Sequence, residues 1–159
     1  AVYNKARITV VIADNRTTAM TGQQDNPGTG QTLMGEATHR LDFEGLARAV
    51  GVEHVATLDP MALESAEETL RQAMAHPGPS VVVARRACVF VDRKQYAGPV
   101  AVEAEKCTRC RMCIRLGCPA ISLGEDSAVV DPMLCAGCEL CAEVCPQDAF
   151  LRAPAREEV

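Results

Sequence analysis

The sequence predicts an α/β parallel sheet followed by a small cysteine-rich α+β domain. Apolar, β-branched strands alternate with helical segments in the first part of the chain, which is the pattern of a parallel sheet. Eight of the nine cysteines lie in two runs near the other end. The composition changes after Cys88, and residues 92–99 are typical of a linker. We therefore predict two domains, 1–99 and 100–159.

Three strands are predicted in the first domain. The segment 8–13 is β-branched and apolar, as a strand buried on both faces of a parallel sheet is. The segment 52–57 is predicted as the second strand, and 79–84, with three consecutive valines, as another buried strand. The polar stretch 15–38 contains four glycines. A loop of that length inside a compact domain is usually functional.

Two helices connect these strands. Asp42 predicts the start of a short helix over 43–50, which Gly51 ends. Asp59 and the proline after it predict the start of a second helix. Its apolar stripe continues to His76, which precedes a proline.

The cysteines have the spacing of iron–sulfur ligands. The two runs are Cys107-x2-Cys110-x2-Cys113-x4-Cys118-Pro119 and Cys135-x2-Cys138-x2-Cys141-x3-Cys145-Pro146. Two residues between cysteines allow a tight loop to direct three thiolates at one cubane, so the fourth ligand must come from a remote segment. In the bacterial ferredoxin pattern, the fourth cysteine of each run serves the other cluster. A small hairpin is predicted between the runs, around residues 124–127.

This pattern predicts two 4Fe-4S clusters with crossed ligands. The first set is Cys107, Cys110, Cys113 and Cys145, and the second is Cys135, Cys138, Cys141 and Cys118. Structural zinc is the weaker alternative, because zinc sites are built from two pairs of ligands. A disulfide framework would require a small secreted chain, and no signal peptide is recognised in this sequence.

Composition excludes several classes of function. The longest apolar run, 8–13, is too short to cross a bilayer. A net charge of -5 and a pI of about 5.2 give no support for nucleic-acid binding, which would show as a basic face or stripe. Clusters and thiolates need a reducing compartment. We therefore expect a cytoplasmic protein, without membrane or nucleic-acid partners, from an organism that avoids oxygen.

Two segments of the first domain resemble a known family. The segment NKARITVVIADNRTTAMTGQQ at Asn4–Gln24, together with Asn26–Gly30, resembles the thiamine-diphosphate domain of the large (alpha) subunit of the indolepyruvate:ferredoxin oxidoreductases. Pro79–Arg85 resembles the same subunit, which also ends in a two-cluster ferredoxin module with an x4 gap before the first Cys-Pro. The resemblance covers the whole chain. It implies that 1–99 is the C-terminal portion of a thiamine-diphosphate-binding domain and that 100–159 is a bacterial-type 2x(4Fe-4S) ferredoxin domain.

The resemblance also implies cofactor-binding residues. The Asn15 side-chain oxygen and the Thr17 backbone carbonyl would coordinate Mg²⁺, which prefers oxygen ligands and is often shared with phosphates. Thr21 and Gly22 would approach the diphosphate of thiamine diphosphate. From the residues alone, the stretch after the first strand is only a polar turn.

The function implied is that of an oxidoreductase. The complete enzyme would decarboxylate an arylpyruvate oxidatively to acyl-CoA and pass electrons through its clusters to an external ferredoxin, with a smaller (beta) subunit as partner. The Gly-Asp-Gly half of the magnesium motif and the thiamine-activating glutamate are absent from these residues. The 159 residues are therefore not expected to catalyse alone, and no catalytic residue is named. The alternatives are a non-enzymatic two-cluster electron carrier and the same enzyme class acting on pyruvate or a branched 2-oxoacid.

The charges around the two runs differ. Basic residues surround the first run and acidic residues the second: Lys106, Arg109, Arg111 and Arg115 against Asp131, Glu139, Glu143 and Asp148. One hypothesis is that the first cluster has the higher potential and that its basic rim docks an acidic ferredoxin. A solvated, mixed-charge surface is the alternative. The three histidines are interpreted as structural, and Cys88 as a buried thiol.

Overall fold

The computed structural model describes residues 1–92, 96 and 98–152. The chain divides into two compact units, Ala1–Val91 and Asp92–Val159. Residues 93–95 and 97 of the predicted linker lie outside the described residues. The functional division at residue 100 stays a prediction.

The first unit is a parallel sheet with two helices, so the predicted fold class is confirmed. Its elements are β1 (Thr9–Asp14), α1 (Phe43–Ala49), β2 (His54–Leu58), α2 (Leu63–Ala75) and β3 (Ser80–Arg85). The strands are parallel and lie in the order β1-β3-β2. Val81 of β3 lies between Val10 of β1 and Val55 of β2 in the register.

The strands differ in burial. The central strand β3 is buried as predicted, and Val82 and Val83 are fully enclosed. The prediction that β1 is buried on both faces is wrong, because Val10 is 44% exposed and Val11 is 52% exposed. The reason is that α1 and α2 pack mainly on β2 and β3, which leaves both faces of the edge strand β1 largely uncovered. A β-branched apolar run indicates a strand, but it does not indicate how many strands or helices pack against that strand.

The helix starts follow local side-chain hydrogen bonds. Asp42 caps α1 as predicted, because its carboxylate accepts a hydrogen bond of 2.9 Å from the Gly45 amide. The second helix begins at Leu63, later than predicted. Asp59 Oδ1 instead accepts the Met61 amide at 2.9 Å and holds a separate turn before the helix.

The second unit is small, mixed α+β and ferredoxin-like, as predicted. Its elements are β4 (Ala101–Val102), β5 (Ile121–Leu123), β6 (Ala128–Val130), α3 (Leu140–Glu143) and β7 (Phe150–Leu151). β5 and β6 form the predicted hairpin, and β4 pairs antiparallel with β7. The apolar core includes Val100 and Phe150, together with the thiols of Cys113 and Cys141. Within the described residues, no helix has the length and apolar character needed to span a bilayer.

Candidate functional site

The eight run cysteines line two cavities in the second unit. Cys107, Cys110, Cys113 and Cys145 line one cavity, and Cys118, Cys135, Cys138 and Cys141 line the other. Each cavity therefore receives three cysteines from one run and the fourth from the other. These are the two sets expected from the ferredoxin spacing. The role of these residues as cluster ligands stays a prediction.

The two cavities differ in size. The volume enclosed by the second set is about 310 Å³, whereas the first set encloses about 20 Å³. Among the described residues, no group of three or more His, Cys, Asp or Glu could hold a single metal ion.

The chemistry of the donor set fits a cationic cluster. Burial raises the pKa of Cys141 to about 11, and nearby Cys138 adds to that shift. Burial also raises the pKa of Cys113. Without iron these thiols would keep their protons at neutral pH, whereas a coordinating metal deprotonates a thiol. The residues present therefore fit iron–sulfur clusters.

Backbone amides also point at the sulfurs of the first set. The Ala128 amide donates to Cys107 Sγ at 3.5 Å, and the Ala149 amide donates to Cys145 Sγ at 3.4 Å. Hydrogen bonds to cluster-ligating sulfurs are among the factors that set reduction potential. The chain therefore places donors where they would stabilise negative charge on this ligand set, and the fit of the residues to clusters rests on the four thiols that line each cavity.

A second candidate region lies at the carboxyl edge of the parallel sheet. Parallel strands end at one edge, where α/β proteins commonly bind ligands. A cleft of about 500 Å³ opens there. Its walls include Asp14 at the end of β1, Thr57 in β2 and Arg85 at the end of β3. Further arginines in the wall are Arg16, Arg40 and Arg48.

Arg85 joins the strand ends to the first helix. Its Nε donates to Asp14 Oδ2 at 2.8 Å, and its terminal nitrogens contact the Glu44 carboxylate at 2.8 and 3.0 Å. Glu44 also accepts a hydrogen bond of 2.7 Å from the Thr57 hydroxyl. The hydrogen bond from Arg85 is the largest of the effects that lower the pKa of Glu44 to about 2.

Replacing Arg85 with methionine is expected to destabilise the first unit by about 1–3 kcal/mol. The change leaves the buried Asp14 and the partly buried Glu44 without their shared cation. A double-mutant cycle with Glu44→Gln, measured by urea unfolding followed through the helical circular dichroism signal, should give a coupling of about 1–2 kcal/mol at pH 7. The Glu44 contribution is fully present above the usual carboxyl pKa of 4.5 and is lost as the pH falls towards 2. The coupling should therefore shrink at about pH 3.

The control for this cycle is the exposed pair of Arg71 and Glu67 on α2. Its nitrogen and oxygen lie 2.5 Å apart, but both side chains are mostly in solvent, so we expect Arg71→Met to change stability by less than about 0.5 kcal/mol. Equal couplings at the two sites would refute the structural role of Arg85.

The predicted thiamine and magnesium residues lie in the loop that follows β1. Asn15 Oδ1 accepts a hydrogen bond of 3.2 Å from the Thr17 amide. The hydroxyls of Thr17 and Thr21 donate to the Gln24 backbone carbonyl and side-chain oxygen, at 3.5 and 2.7 Å. Gly22 has a φ of 112° at the end of a short 3-10 turn. The loop therefore folds back on Gln24, and its predicted residues adjoin the cleft without lining it.

Several features of these regions were missed from the sequence. The Arg85 network joins residues 71 and 41 positions apart, and no local pattern marks it. Gln24, which closes the loop, also carries no motif. The rings of His54 and His76 lie 5.3 Å apart. Cys88 is half-buried rather than buried, and its amide donates to the Asn15 carbonyl at 2.9 Å.

Comparison with protein families identifies both units. The family model "Thiamine pyrophosphate enzyme, C-terminal TPP binding domain" matches residues 1–84. The model "4Fe-4S binding domain" matches residues 128–151, which contain the second cysteine run. The first match ends within β3, so it covers nearly all of the parallel sheet.

Curated relatives match along most of the chain. "Indolepyruvate oxidoreductase subunit IorA" of Pyrococcus abyssi is 45% identical over 159 residues, and the subunit of the same name from Methanothermobacter thermautotrophicus is 41% identical over 151 residues. Each match covers 94% of this chain and 24% of the relative. An "Uncharacterized ferredoxin-like protein" of Haemophilus influenzae is 45% identical over 49 residues, which cover 26% of this chain and 56% of that protein. The chain spans about a quarter of the length of the IorA relatives, and by its sheet unit it belongs to the thiamine pyrophosphate enzymes that carry the C-terminal TPP-binding domain.

Proposed function

We propose that this chain is the C-terminal portion of a thiamine-dependent 2-oxoacid:ferredoxin oxidoreductase of the indolepyruvate type. The observation that carries the proposal is the combination, in one chain, of a TPP-binding segment and eight cysteines lining two cavities. Relatives that match across both units are named indolepyruvate oxidoreductase subunits. The complete enzyme would convert an arylpyruvate to acyl-CoA together with a smaller beta subunit, in a reducing cytoplasm.

The second unit serves as the electron relay in this proposal. The first cysteine set would hold one 4Fe-4S cluster and the second set another, and external ferredoxin would receive the electrons. The amide donors at Cys107 and Cys145 support this role, because hydrogen bonds to ligating sulfurs stabilise the added negative charge of a reduced cluster.

The loop after β1 would hold magnesium and the diphosphate. The Asn15 amide oxygen accepts one hydrogen bond from Thr17 and keeps a second lone pair for a hard cation. The Thr17 carbonyl would be the second ligand, and Thr21 and Gly22 would face the diphosphate. When bound, thiamine diphosphate supplies the carbanion chemistry, while the protein supplies position and electrostatics.

Replacing Asn15 with alanine is expected to weaken magnesium-dependent binding of thiamine diphosphate by about 10- to 100-fold. Loss of residues that ligate or orient a metal typically has effects of this size. Calorimetric titration of the full-length protein with thiamine diphosphate, with and without Mg²⁺, measures the change. Asn4→Ala, an exposed asparagine in the same unit, is the matched control. Unchanged affinity in Asn15→Ala would remove this residue from the site.

The substrate is tested with the complete enzyme. The full-length polypeptide and its beta subunit, purified without oxygen, should reduce ferredoxin in the presence of coenzyme A and indolepyruvate. The reaction with pyruvate or a branched 2-oxoacid should be slower. If a branched 2-oxoacid is preferred, the enzyme class stands and the arylpyruvate assignment fails.

A second candidate function is an electron carrier without catalysis. The relative from Haemophilus influenzae favours this function, because it is named a ferredoxin-like protein and matches 26% of this chain. This reading gives the TPP-binding segment no role. Absence of thiamine diphosphate binding and of 2-oxoacid oxidation by the full-length protein, with clusters intact, would favour the carrier.

A further inference from the structure

The two cysteine runs share left-handed backbone positions but have different surroundings. Arg109 and Gly137 occupy equivalent places in the two runs and have φ values of 55° and 77°. Arg111 and Glu139 are also equivalent, with φ values of 64° and 62°. The two loops thus share a left-handed backbone at these two equivalent positions, and their side chains and neighbours differ.

The second loop is covered by another segment of the same unit, and the first loop is open. Gly137 is buried, and a Cβ placed there would lie 2.3 Å from the Gly98 carbonyl oxygen. At the equivalent place, Arg109 is exposed. Among the eight run cysteines, all of which the structure describes, only Cys110 is exposed. The first cysteine set therefore approaches the surface at Cys110.

Basic charge is unbalanced beside Cys110. Arg109 donates to the Gly124 carbonyl at 3.2 Å, which keeps its positive charge uncompensated. Within the described part of the chain, Arg111 and Arg115 form no ion pair. Three arginines thus present positive charge around one exposed thiol.

Two acidic side chains of the second run are instead partly compensated by an arginine. Arg152 contacts Glu139 at 3.1 Å and Glu143 at 2.6 Å. The sequence therefore overstates the negative charge around this run, because two of its carboxylates share a cation.

An apolar side chain completes the open surface. Met112 is 40% exposed, and it lines the first cavity beside Cys110 and Arg111. Protein interfaces commonly combine an apolar centre enriched in Met and Arg with a polar rim. Complementary charge on the partner would steer encounter and fix orientation.

We propose that the Cys110 surface, formed by Arg109, Cys110, Arg111, Met112 and Arg115, docks an acidic electron carrier of the ferredoxin class. The inference rests on the proposed function. The carrier accepts one electron per encounter from the centre held by the first cysteine set, and no atom is transferred. Oxidative decarboxylation of one 2-oxoacid releases two electrons, so two encounters complete each turnover.

The direct test is the binding of a purified acidic ferredoxin to the full-length protein with its clusters and beta subunit. Arg111→Glu is compatible with the left-handed backbone, because Glu139 occupies the equivalent place in the repeat. We expect Arg111→Glu and Arg115→Glu each to raise the Kd about three- to tenfold at low salt. Surface plasmon resonance should show that the change in Kd comes mainly from a slower association rate. High salt should reduce the difference in Kd between variant and wild type.

Arg71→Glu is the matched control. It makes the same charge reversal on an exposed helix of the other unit and should leave the Kd unchanged. Equal Kd values for wild type and both surface variants, or an equal loss in Arg71→Glu, would overturn the docking surface. Iron content equal to wild type shows that Arg111→Glu retains its clusters. Arg115→Glu carries the test alone if iron is lost from Arg111→Glu.

Failure of the proposed function gives a different result. In that case wild-type protein fails to reduce a small viologen dye with any 2-oxoacid, in the absence of ferredoxin. Ferredoxin binding by the three variants does not depend on turnover, so it still tests the docking surface.

Discussion

Replacing Cys145 with serine is expected to remove the same cluster as replacing Cys113 with serine, although the two cysteines belong to different runs. Both thiols line the first cavity, and a 4Fe-4S cluster takes four cysteine thiolates. Each single variant should therefore retain about four of about eight irons per chain. Iron and sulfide analysis after anaerobic reconstitution, with electron paramagnetic resonance of the reduced protein, measures the loss. Spin coupling between two reduced clusters should disappear in both variants.

Double variants separate crossed ligands from self-contained runs. Cys113→Ser combined with Cys145→Ser should still hold about four irons, because both changes affect one cluster. Cys113→Ser combined with Cys118→Ser should hold almost none, because Cys118 lines the second cavity. The reverse result would assign each fourth cysteine to its own run. Cys88→Ser, outside both cavities, should keep the full iron content.

The cysteine arrangement could be anticipated because it depends on local spacing. Three thiols separated by two residues share one tight loop, and the remaining pairing follows from the repeat. The cap of α1 was equally local: Asp42 and the Gly45 amide lie in one turn. The same local chemistry gave a wrong start for α2. Asp59 accepts a hydrogen bond from the Met61 amide in a separate turn, and the helix begins only at Leu63.

Other features depend on contacts that no short pattern encodes. The strand β1 has the composition of a buried strand, yet it lies at the sheet edge because β3, which follows it by two helices, occupies the centre. Arg85 reaches Asp14 across a sequence separation of 71 positions. The ion pair between Arg152 and Glu139 could not be predicted from a short pattern either. Fold class and ligand spacing were therefore predictable, while electrostatics at both sites required the tertiary structure.

Replacing Gly137 with alanine is expected to destabilise the second unit by about 2–4 kcal/mol. The variant is also expected to lose the second cluster. The left-handed backbone is not the main reason, because Arg109 tolerates a φ of 55° at the equivalent place. The new Cβ would instead lie 2.3 Å from the Gly98 carbonyl oxygen and 2.8 Å from its carbonyl carbon. A backbone atom cannot avoid the clash by changing rotamer as a side chain can, so the segment at Gly98 must move. Cys138 follows directly in the chain, and its thiol would be displaced with the loop.

Gly117→Ala isolates the conformational part of this effect. Gly117 has a φ of 67°, and a Cβ there would meet nothing within 4 Å. Its cost should be the left-handed penalty alone, about 1–2 kcal/mol, with both clusters retained. Urea unfolding followed by cluster absorbance, together with iron content, compares the two variants. Equal losses would mean that backbone strain, and not the contact with Gly98, requires glycine at residue 137; the segment at Gly98 would then not be a fixed cover over the second cysteine loop.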